Sequence, residues 1–217
     1  MLLLFITDLP WVQNQLSRTL SEKVSSKIGT AVRVDNVQIG LFNSIILTGV
    51  EIKDQNGGRL FSANKISAKI KLRSLLFSPL TIRTVELYNA QANLVKEKSG
   101  YNFQFIIDSL SQKKQKKEKP LDINIKSVIL SRCSISHNVL GKPYKKTFDL
   151  NHAALQELDA SVGFRLKKNG GVNIKLRNIA FKERCGFVLK HGYLDASVYK
   201  RLCRIPVLLI KTEASNI

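Results

Sequence analysis

The chain has 217 residues, a length that suits one or two domains. Hydrophobic residues make up 44% of it, which is enough to form an apolar core or face and excludes wholesale disorder. The formal net charge is +19, the three cysteines are too scattered for a disulfide scaffold or a zinc module, and no apolar run reaches the roughly 18 residues that a membrane-spanning helix needs.

The first eight residues open with six apolar side chains, which are too few to cross a bilayer and lack the basic start and cleavage site of a signal peptide. Two interpretations fit them: the remnant of a membrane anchor, or an ordinary buried N-terminal segment. Trp11 stands where an interfacial aromatic belt would lie, so we interpret residues 1–8 as an anchor remnant. Both ends of the sequence look cut, and we expect the chain to be one piece of a longer protein.

An amphipathic helix is predicted over residues 9–29, because apolar residues recur at every fourth position. Asp8 can cap its start, and Gly29 is a typical stop after its last turn. The apolar stripe predicts packing against the sheet that follows. Its members are Val12, Leu16, Leu20, Val24 and Ile28.

From residue 30 the apolar period falls to two, which indicates strands. Three alternating runs and the turn at 54–58, with its Asn-Gly pair, predict neighbouring antiparallel strands that have one apolar and one polar face. They form a first β-sheet segment over 30–110. A short helix is predicted at 103–110, before a basic linker at 111–120. The alternating runs are 31–39, 45–53 and 65–73.

A second β-sheet segment is predicted over 121–217, and we expect it to be truncated at its C-terminus. The further strand-like runs are 158–166, 172–176, 187–189, 194–199 and 205–212, the last of which we expect to stop without a partner. Strands should far exceed helices in this chain. The fold class that we predict is therefore mainly β: a long, curved antiparallel sheet that forms a groove, with an N-terminal amphipathic helix.

Two predicted strands on either side of the linker resemble each other at a spacing of 43 residues. Residues 81–94 and 124–137 share their apolar positions, and in both the apolar phase slips by one residue, after Leu87 and after Leu130. A β-bulge in a long strand would produce that slip and add curvature. The shared apolar positions are candidates for lining a groove: Val85, Leu87, Ala90, Ala92, Leu94, Val128, Leu130, Cys133 and Ile135.

The positive charge is uneven, with a net of +5 over residues 1–110 and +14 over residues 111–217. Part of the excess is the lysine run at 113–119. Such a run can attract anionic lipid or nucleic acid, but it is more often a solvated linker, which is the interpretation that we favour. No nucleic-acid-binding motif is recognisable, so a basic nucleic-acid-binding module is only the last of the alternatives that we consider.

No set of residues predicts catalysis. Asp149 and His152 stand three residues apart, but no Gly-x-Ser-x-Gly elbow accompanies them, and their segment is typical of a turn. Cys133 and His137 have a spacing that suits a metal on a helix, whereas this segment alternates as a strand does. We therefore expect no enzyme activity, no metal site and no cofactor. The cysteines are expected to fill small apolar gaps: Cys133, Cys185 and Cys203.

Four features, in order along the chain, resemble the N-terminal part of AsmA/TamB-like proteins, in particular the long TamB-type members of Bacteroidetes. They are the apolar start with the helix up to Thr30, residues 37–54, residues 82–94 followed by Gly-Tyr-Asn-Phe at 100–103, and residues 148–152 together with 181–187. The resemblance covers most of the chain.

The resemblance implies a protein on the periplasmic side of the inner membrane of a Gram-negative bacterium, held there by an N-terminal signal anchor. It implies a curved β-sheet whose apolar face forms a groove, and a role in phospholipid transport or assembly at the outer membrane. The implied partners are phospholipid, the inner membrane and an outer-membrane β-barrel protein.

An apolar sheet face must be covered by protein or filled by something apolar. If the sheet closes as a sandwich, the candidate residues are ordinary core; if it stays open, acyl chains can fill it. Periodicity alone leaves both open, and the resemblance favours the open groove. The first alternative function is an assembly factor that binds unfolded outer-membrane strands at a sheet edge.

Overall fold

The computed structural model describes residues 10–40, 43–70, 80–111, 123–166, 171–199 and 202–212. The predicted fold class is confirmed, because the chain is mainly β with one N-terminal helix and one short helix. The proposed anchor remnant at 1–8 and all but the first residue of the basic linker lie outside the described residues. Among the helices that are described, none is long and apolar enough to span a bilayer.

The described elements follow each other along the chain with short connections. They are α1 (Pro10–Ile28), β1 (Val32–Gly40), β2 (Ser44–Lys53), β3 (Arg59–Ile70), β4 (Leu80–Glu97), β5 (Gly100–Tyr101), α2 (Gln104–Ser111), β6 (Ile123–Val139), a 3-10 turn (Leu150–His152), β7 (Ala154–Leu166), β8 (Val172–Glu183), β9 (Val188–Tyr199) and β10 (Leu202–Thr212).

The described strands form one open sheet. Nine of them follow the order β1-β2-β3-β4-β6-β7-β8-β9-β10, and the two-residue β5 pairs with β4. In the described part of the chain, β1 and β10 are the two edges and do not pair with each other. The sheet is therefore a single layer that is not closed on itself.

One strand pair departs from the antiparallel arrangement that we expected, since β4 and β6 run parallel. β5 and α2 lie between them in the chain, as parallel neighbours require a crossover connection. This pairing joins the two resembling strands in register, with Ile82 opposite Ile125 and Leu87 opposite Leu130. The sheet is consequently mixed, and equivalent positions of the repeat lie side by side.

The predicted N-terminal helix is confirmed as α1, and it packs on the apolar side of β1. Leu16 and Leu20 contact a cluster that includes Val34 and Val50. The Ser21 hydroxyl accepts a hydrogen bond from the backbone N–H of Val34 at 3.0 Å. The predicted short helix is confirmed as α2, which contacts α1. α1 therefore covers the β1 end of the sheet, and α2 packs against α1.

Five residues on five strands adopt positive φ angles at about the same level of the sheet, and we call them the kink row. They are Gly49 (φ 60°), Asn89 (50°), Arg132 (51°), Glu157 (48°) and Asn178 (53°). This left-handed conformation turns the strand and returns the next apolar residue to the same face. The phase slip predicted after Leu87 and after Leu130 is thereby confirmed.

The slip takes two forms. Paired residues of β4 and β6 differ by the same number of positions before and after Asn89. The two strands therefore turn together, without a change of register between them. Between β6 and β7 the register shifts between Leu130 and Cys133, as a β-bulge requires. The predicted bulge is therefore present in the second copy of the repeat, whereas the first copy slips by a kink that its neighbours share.

Two expectations for the C-terminal strands are wrong. Residues 188–189 and the run 194–199 belong to one strand, β9, because the two polar residues between Leu189 and Gly192 mark another register shift and not a strand end. The run 205–212 does have a partner, since β10 pairs with β9 along its length.

The predicted turn at 54–58 is confirmed. The Asp54 carboxylate accepts hydrogen bonds from the N–H groups of Asn56 at 3.0 Å and Gly58 at 2.7 Å. Gly57 takes a φ of 83°, which glycine adopts without steric cost. This turn joins β2 to β3 as an antiparallel hairpin.

Candidate functional site

The candidate residues of the two resembling strands share one side of the sheet, which we call the apolar face. Three of the five candidates on β4 stand directly beside a candidate on β6 across the parallel pairing. The paired candidates are Val85 with Val128, Leu87 with Leu130, and Ala92 with Ile135. Ala90 and Cys133 are packed in one cluster between them, and Leu94 lies beside His137. The structure thus brings the nine residues together.

The apolar face extends further than the sequence predicted. Ala63 on β3 and Leu158 on β7 are buried in the same cluster as Ala90 and Cys133. The partly buried side chains around that cluster are Phe61, Ile66, Leu87, Leu130, Ile135, Ile179 and Phe181. The face therefore continues from β3 across β4, β6 and β7 to β8.

A sequence signal for the missed residues exists. On β3 two polar residues separate the apolar Ala63 from Ile66, and on β8 two polar residues separate Leu176 from Ile179. This is the same slip that marks β4 and β6. Searching for it in every strand, and not only in the repeat, would have found the wider face.

The burial pattern shows how this face is covered. Its well-buried members are mostly small, with Ala63, Ala90 and Cys133 only 3 to 4% exposed. Larger side chains such as Leu87 and Leu130 are half-buried, whereas Leu158 in the same cluster is only 3% exposed. Neither described helix packs extensively against β6, β7, β8 or β9. Of the described elements outside the sheet, the 3-10 turn contacts β6, and neither described helix forms a second layer over these four strands.

The opposite side of the sheet, which we call the polar face, carries ion pairs between neighbouring strands. Lys69 on β3 contacts Glu86 on β4 at 3.0 Å, and Lys175 on β8 contacts Asp195 on β9 at 3.0 Å. Charged side chains on this face remain hydrated and contribute little to stability individually. The two faces therefore differ sharply in chemistry, and only the apolar one offers a surface for hydrocarbon.

The segment 149–152 has the turn role that its sequence suggested. The Asp149 carboxylate accepts hydrogen bonds from the N–H groups of Asn151 at 2.9 Å and Lys145 at 3.1 Å, and so caps the 3-10 turn. Burial alone would raise the pKa of Asp149, but these two hydrogen bonds and the nearby His152 outweigh it and hold the pKa below its usual value. Nδ1 of the His152 ring donates a hydrogen bond to Oδ1 of Asn138, and the ring stacks on Tyr144.

Glu183 anchors the next loop in the same way. Its carboxylate accepts hydrogen bonds from the N–H groups of Ala154 at 3.1 Å and Cys185 at 2.6 Å. Burial alone would raise the pKa of Glu183, but the hydrogen bonds from Cys185 and Ala154 hold it below its usual value. Both buried carboxylates therefore organise loops.

The cysteines do not behave alike. Cys133 is buried on the apolar face and fills a small gap, as expected. Cys185 and Cys203 are exposed, so the expectation that they fill apolar gaps is wrong. Cys185 lies in the turn between β8 and β9, and Cys203 lies on the edge strand β10, where no second layer covers it.

Comparison with known proteins adds no identity to this geometry. No protein-family model matches the chain, and no curated protein matches it at a significant level.

Proposed function

We propose that this chain is the membrane-proximal part of an inner-membrane-anchored periplasmic protein that carries phospholipid along its apolar face toward the outer membrane. The observation that carries the proposal is the continuous apolar face across β3 to β8, on which most large side chains, among them Leu87, Leu130 and Ile135, are only half-buried. The resemblance to AsmA/TamB-like proteins supports the cellular location and the direction of transport.

The physical task of such a protein is to keep acyl chains out of water between two membranes. Exposing a chain of about 16 carbons costs roughly 12 kcal/mol, at about 0.8 kcal/mol per methylene. An apolar face that contacts the chain along its length removes most of that cost. Lipid can then slide without any covalent step, and its phosphate can meet lysine and arginine at the edges of the face.

The test is to purify the full chain without detergent and to extract it for lipid analysis by mass spectrometry. The proposal predicts that phospholipid is retained and that native mass spectrometry finds protein–lipid complexes. Recovery of protein without phospholipid, together with no binding to added phospholipid, would contradict it. Tight and salt-sensitive binding of DNA or RNA by the lipid-free chain would instead favour the basic nucleic-acid-binding module.

The edge strand β10 favours a second candidate function, assistance to outer-membrane protein assembly. It is 11 residues long and pairs on one side with β9, and its other side is unpaired in the part of the chain that is described. Leu202, Leu208 and Leu209 are at least half exposed. An unpaired strand of this kind can bind an extended segment by strand addition.

Substitutions separate the two candidates. Replacing Leu208 and Leu209 by lysine should weaken strand capture at the edge and leave lipid retention unchanged. Aspartate substitutions on the apolar face should have the opposite effect. Measuring both activities on both variants decides which surface matters.

A further inference from the structure

A cavity of about 660 Å³ lies on the polar face, between β6, β7 and β8. Gly163 on β7 forms part of its floor, because the strand pairing places it between Ser127 on β6 and Lys175 on β8. Glycine has no side chain to fill this space, whereas the neighbouring Ser161 and Arg165 on the same strand stand at its walls. Gly163 and the short Ser127 and Ser161 therefore leave open the space that the longer Arg165, Lys175 and Arg177 border.

Cationic side chains surround this cavity. Arg165, Lys175 and Arg177 line it from the polar face, and Lys126 also borders it, although strand alternation places its side chain on the same side as Val128. Lys175 is paired with Asp195 at 3.0 Å. The side chains of Arg165 and Arg177 make no ion pair or hydrogen bond within the described ranges of the chain. Positive charge is therefore in excess at this point of the surface.

Neutral donors complete the lining. The Ser197 hydroxyl donates to Oδ1 of Asn173 at 2.9 Å, which leaves the Nδ2 group of Asn173 as a donor toward the cavity that this residue lines. Ser161 adds a hydroxyl. Unpaired cations are common on a chain with a net charge of +19, but a concave site where they meet neutral donors is not a consequence of net charge alone.

Two guanidinium groups, one ammonium, one amide and one hydroxyl offer more donors than a single carboxylate can use. A phosphate group has three acceptor oxygens and fits the planar fork of arginine. The volume exceeds that of one phosphate and lies in the range of small-molecule sites. We propose that this cavity binds a phosphate monoester together with part of the organic group that carries it.

The site is separate from the proposed lipid groove, because it lies on the opposite face of the sheet. The phosphate monoester can come from a free organic phosphate or from a lipid headgroup. The two sources share the recognising chemistry and differ in whether the phosphate is part of a membrane. The proposal does not depend on phospholipid transport along the apolar face.

The test uses the full chain at physiological ionic strength and two probes. Glycerol 3-phosphate in solution is titrated by calorimetry, and vesicles of phosphatidylcholine with or without phosphatidic acid are tested by co-sedimentation. We expect Arg165→Gln and Arg177→Gln each to weaken binding about tenfold or more, since each removes charge-assisted hydrogen bonds. Arg204→Gln on the exposed edge strand β10 is the matched control and should leave binding unchanged.

A second variant separates a shaped site from a merely basic surface. A Cβ at Gly163 would meet only the Lys175 carbonyl oxygen, at 3.9 Å, so Gly163→Leu should fold and fill the cavity. We expect it to abolish binding although every cation remains. Circular dichroism and the urea midpoint check its fold, and Gly163→Ala provides a smaller change at the same site.

Each outcome decides the proposal. Binding of glycerol 3-phosphate that is lost in Gly163→Leu supports a site for free phosphate esters. Binding to phosphatidic acid vesicles alone, lost in the same variant, supports a headgroup site. Absence of binding to both probes, or binding that falls with added salt and is unchanged in a folded Gly163→Leu, overturns it.

Discussion

Replacing Leu130 by aspartate should strongly weaken phospholipid binding while leaving the sheet folded. Leu130 lies in the middle of the apolar face, beside Leu87 on β4 and Ala160 on β7. Strands lie about 4.8 Å apart, so an acyl chain that crosses β6 places roughly three methylenes against this side chain. At about 0.8 kcal/mol each, the lost contacts amount to about 2 kcal/mol, a roughly thirtyfold loss of affinity, and desolvation of the carboxylate adds to it.

Ile129→Asp is the matched control, because Ile129 is the preceding residue and lies on the opposite face, beside Glu86 and Ser161. The assay measures phospholipid retained per mole of protein and the affinity for a fluorescent phospholipid, with the urea midpoint determined for both variants. Should Leu130→Asp fail to fold, Leu94→Asp repeats the test nearer the end of β4. Unchanged lipid binding in Leu130→Asp, or an equal loss in the control, would refute the reasoning.

Three further predictions concern stability. The urea midpoint should fall as the pH drops below about 4, because Asp149 and Glu183 have lowered pKa values in the folded state. Their ionised carboxylates stabilise the fold above about pH 4, and this stability is lost as they are protonated. A midpoint that does not change with pH would contradict this. Asn178 has a φ of 53°, a left-handed conformation that glycine adopts freely and valine does not. Asn178→Val should therefore lower the free energy of unfolding by about 1–2 kcal/mol, whereas Asn178→Gly should change it little. Equal effects of the two substitutions in urea titrations would argue against backbone strain at this position. Gly192→Ala should destabilise the chain by about 1–3 kcal/mol in the same titrations, because its Cβ would overlap Ile179, and a neutral result would show that β8 and β9 can separate freely.

The sequence predicted the strands and one of their irregularities because both follow from side-chain periodicity. Alternation places apolar residues on one face, and two polar residues between apolar ones mark a change of phase, as after Leu87 and Leu130. The structure realises that change with Asn89 and Arg132 in the left-handed conformation. Asparagine tolerates this conformation better than most residues, so the residue type at Asn89 indicates a left-handed position, whereas the residue type at Arg132 does not.

Strand direction and strand limits were harder to predict. Periodicity contains no information on whether two strands run parallel, so the parallel pairing of β4 with β6 was missed. The resemblance of the two strands was a usable signal, since equivalent positions such as Val85 and Val128 pair directly. The two polar residues within β9 looked like a gap between strands. A change of phase within a strand and the end of a strand both interrupt the alternation of apolar and polar residues, so the sequence does not distinguish them.

The extent of the apolar face was underestimated because the candidates came only from the repeat. Phe61, Ile179 and Phe181 join the cluster through neighbouring strands whose order the sequence does not state. The sequence also did not determine whether the sheet is open or closed, since this depends on which strands pair at the edges. The exposed cysteines were misassigned because residue type alone does not report burial.

Site-specific photo-crosslinking can show whether the apolar face contacts acyl chains. A benzophenone amino acid is introduced at Leu87 on the apolar face or at Tyr88, the next residue, which is 43% exposed on the polar face. We expect irradiation of the chain with phospholipid vesicles to attach phospholipid at position 87 and much less at position 88. Equal labelling at both positions, or none at position 87 in a folded protein, would contradict this expectation.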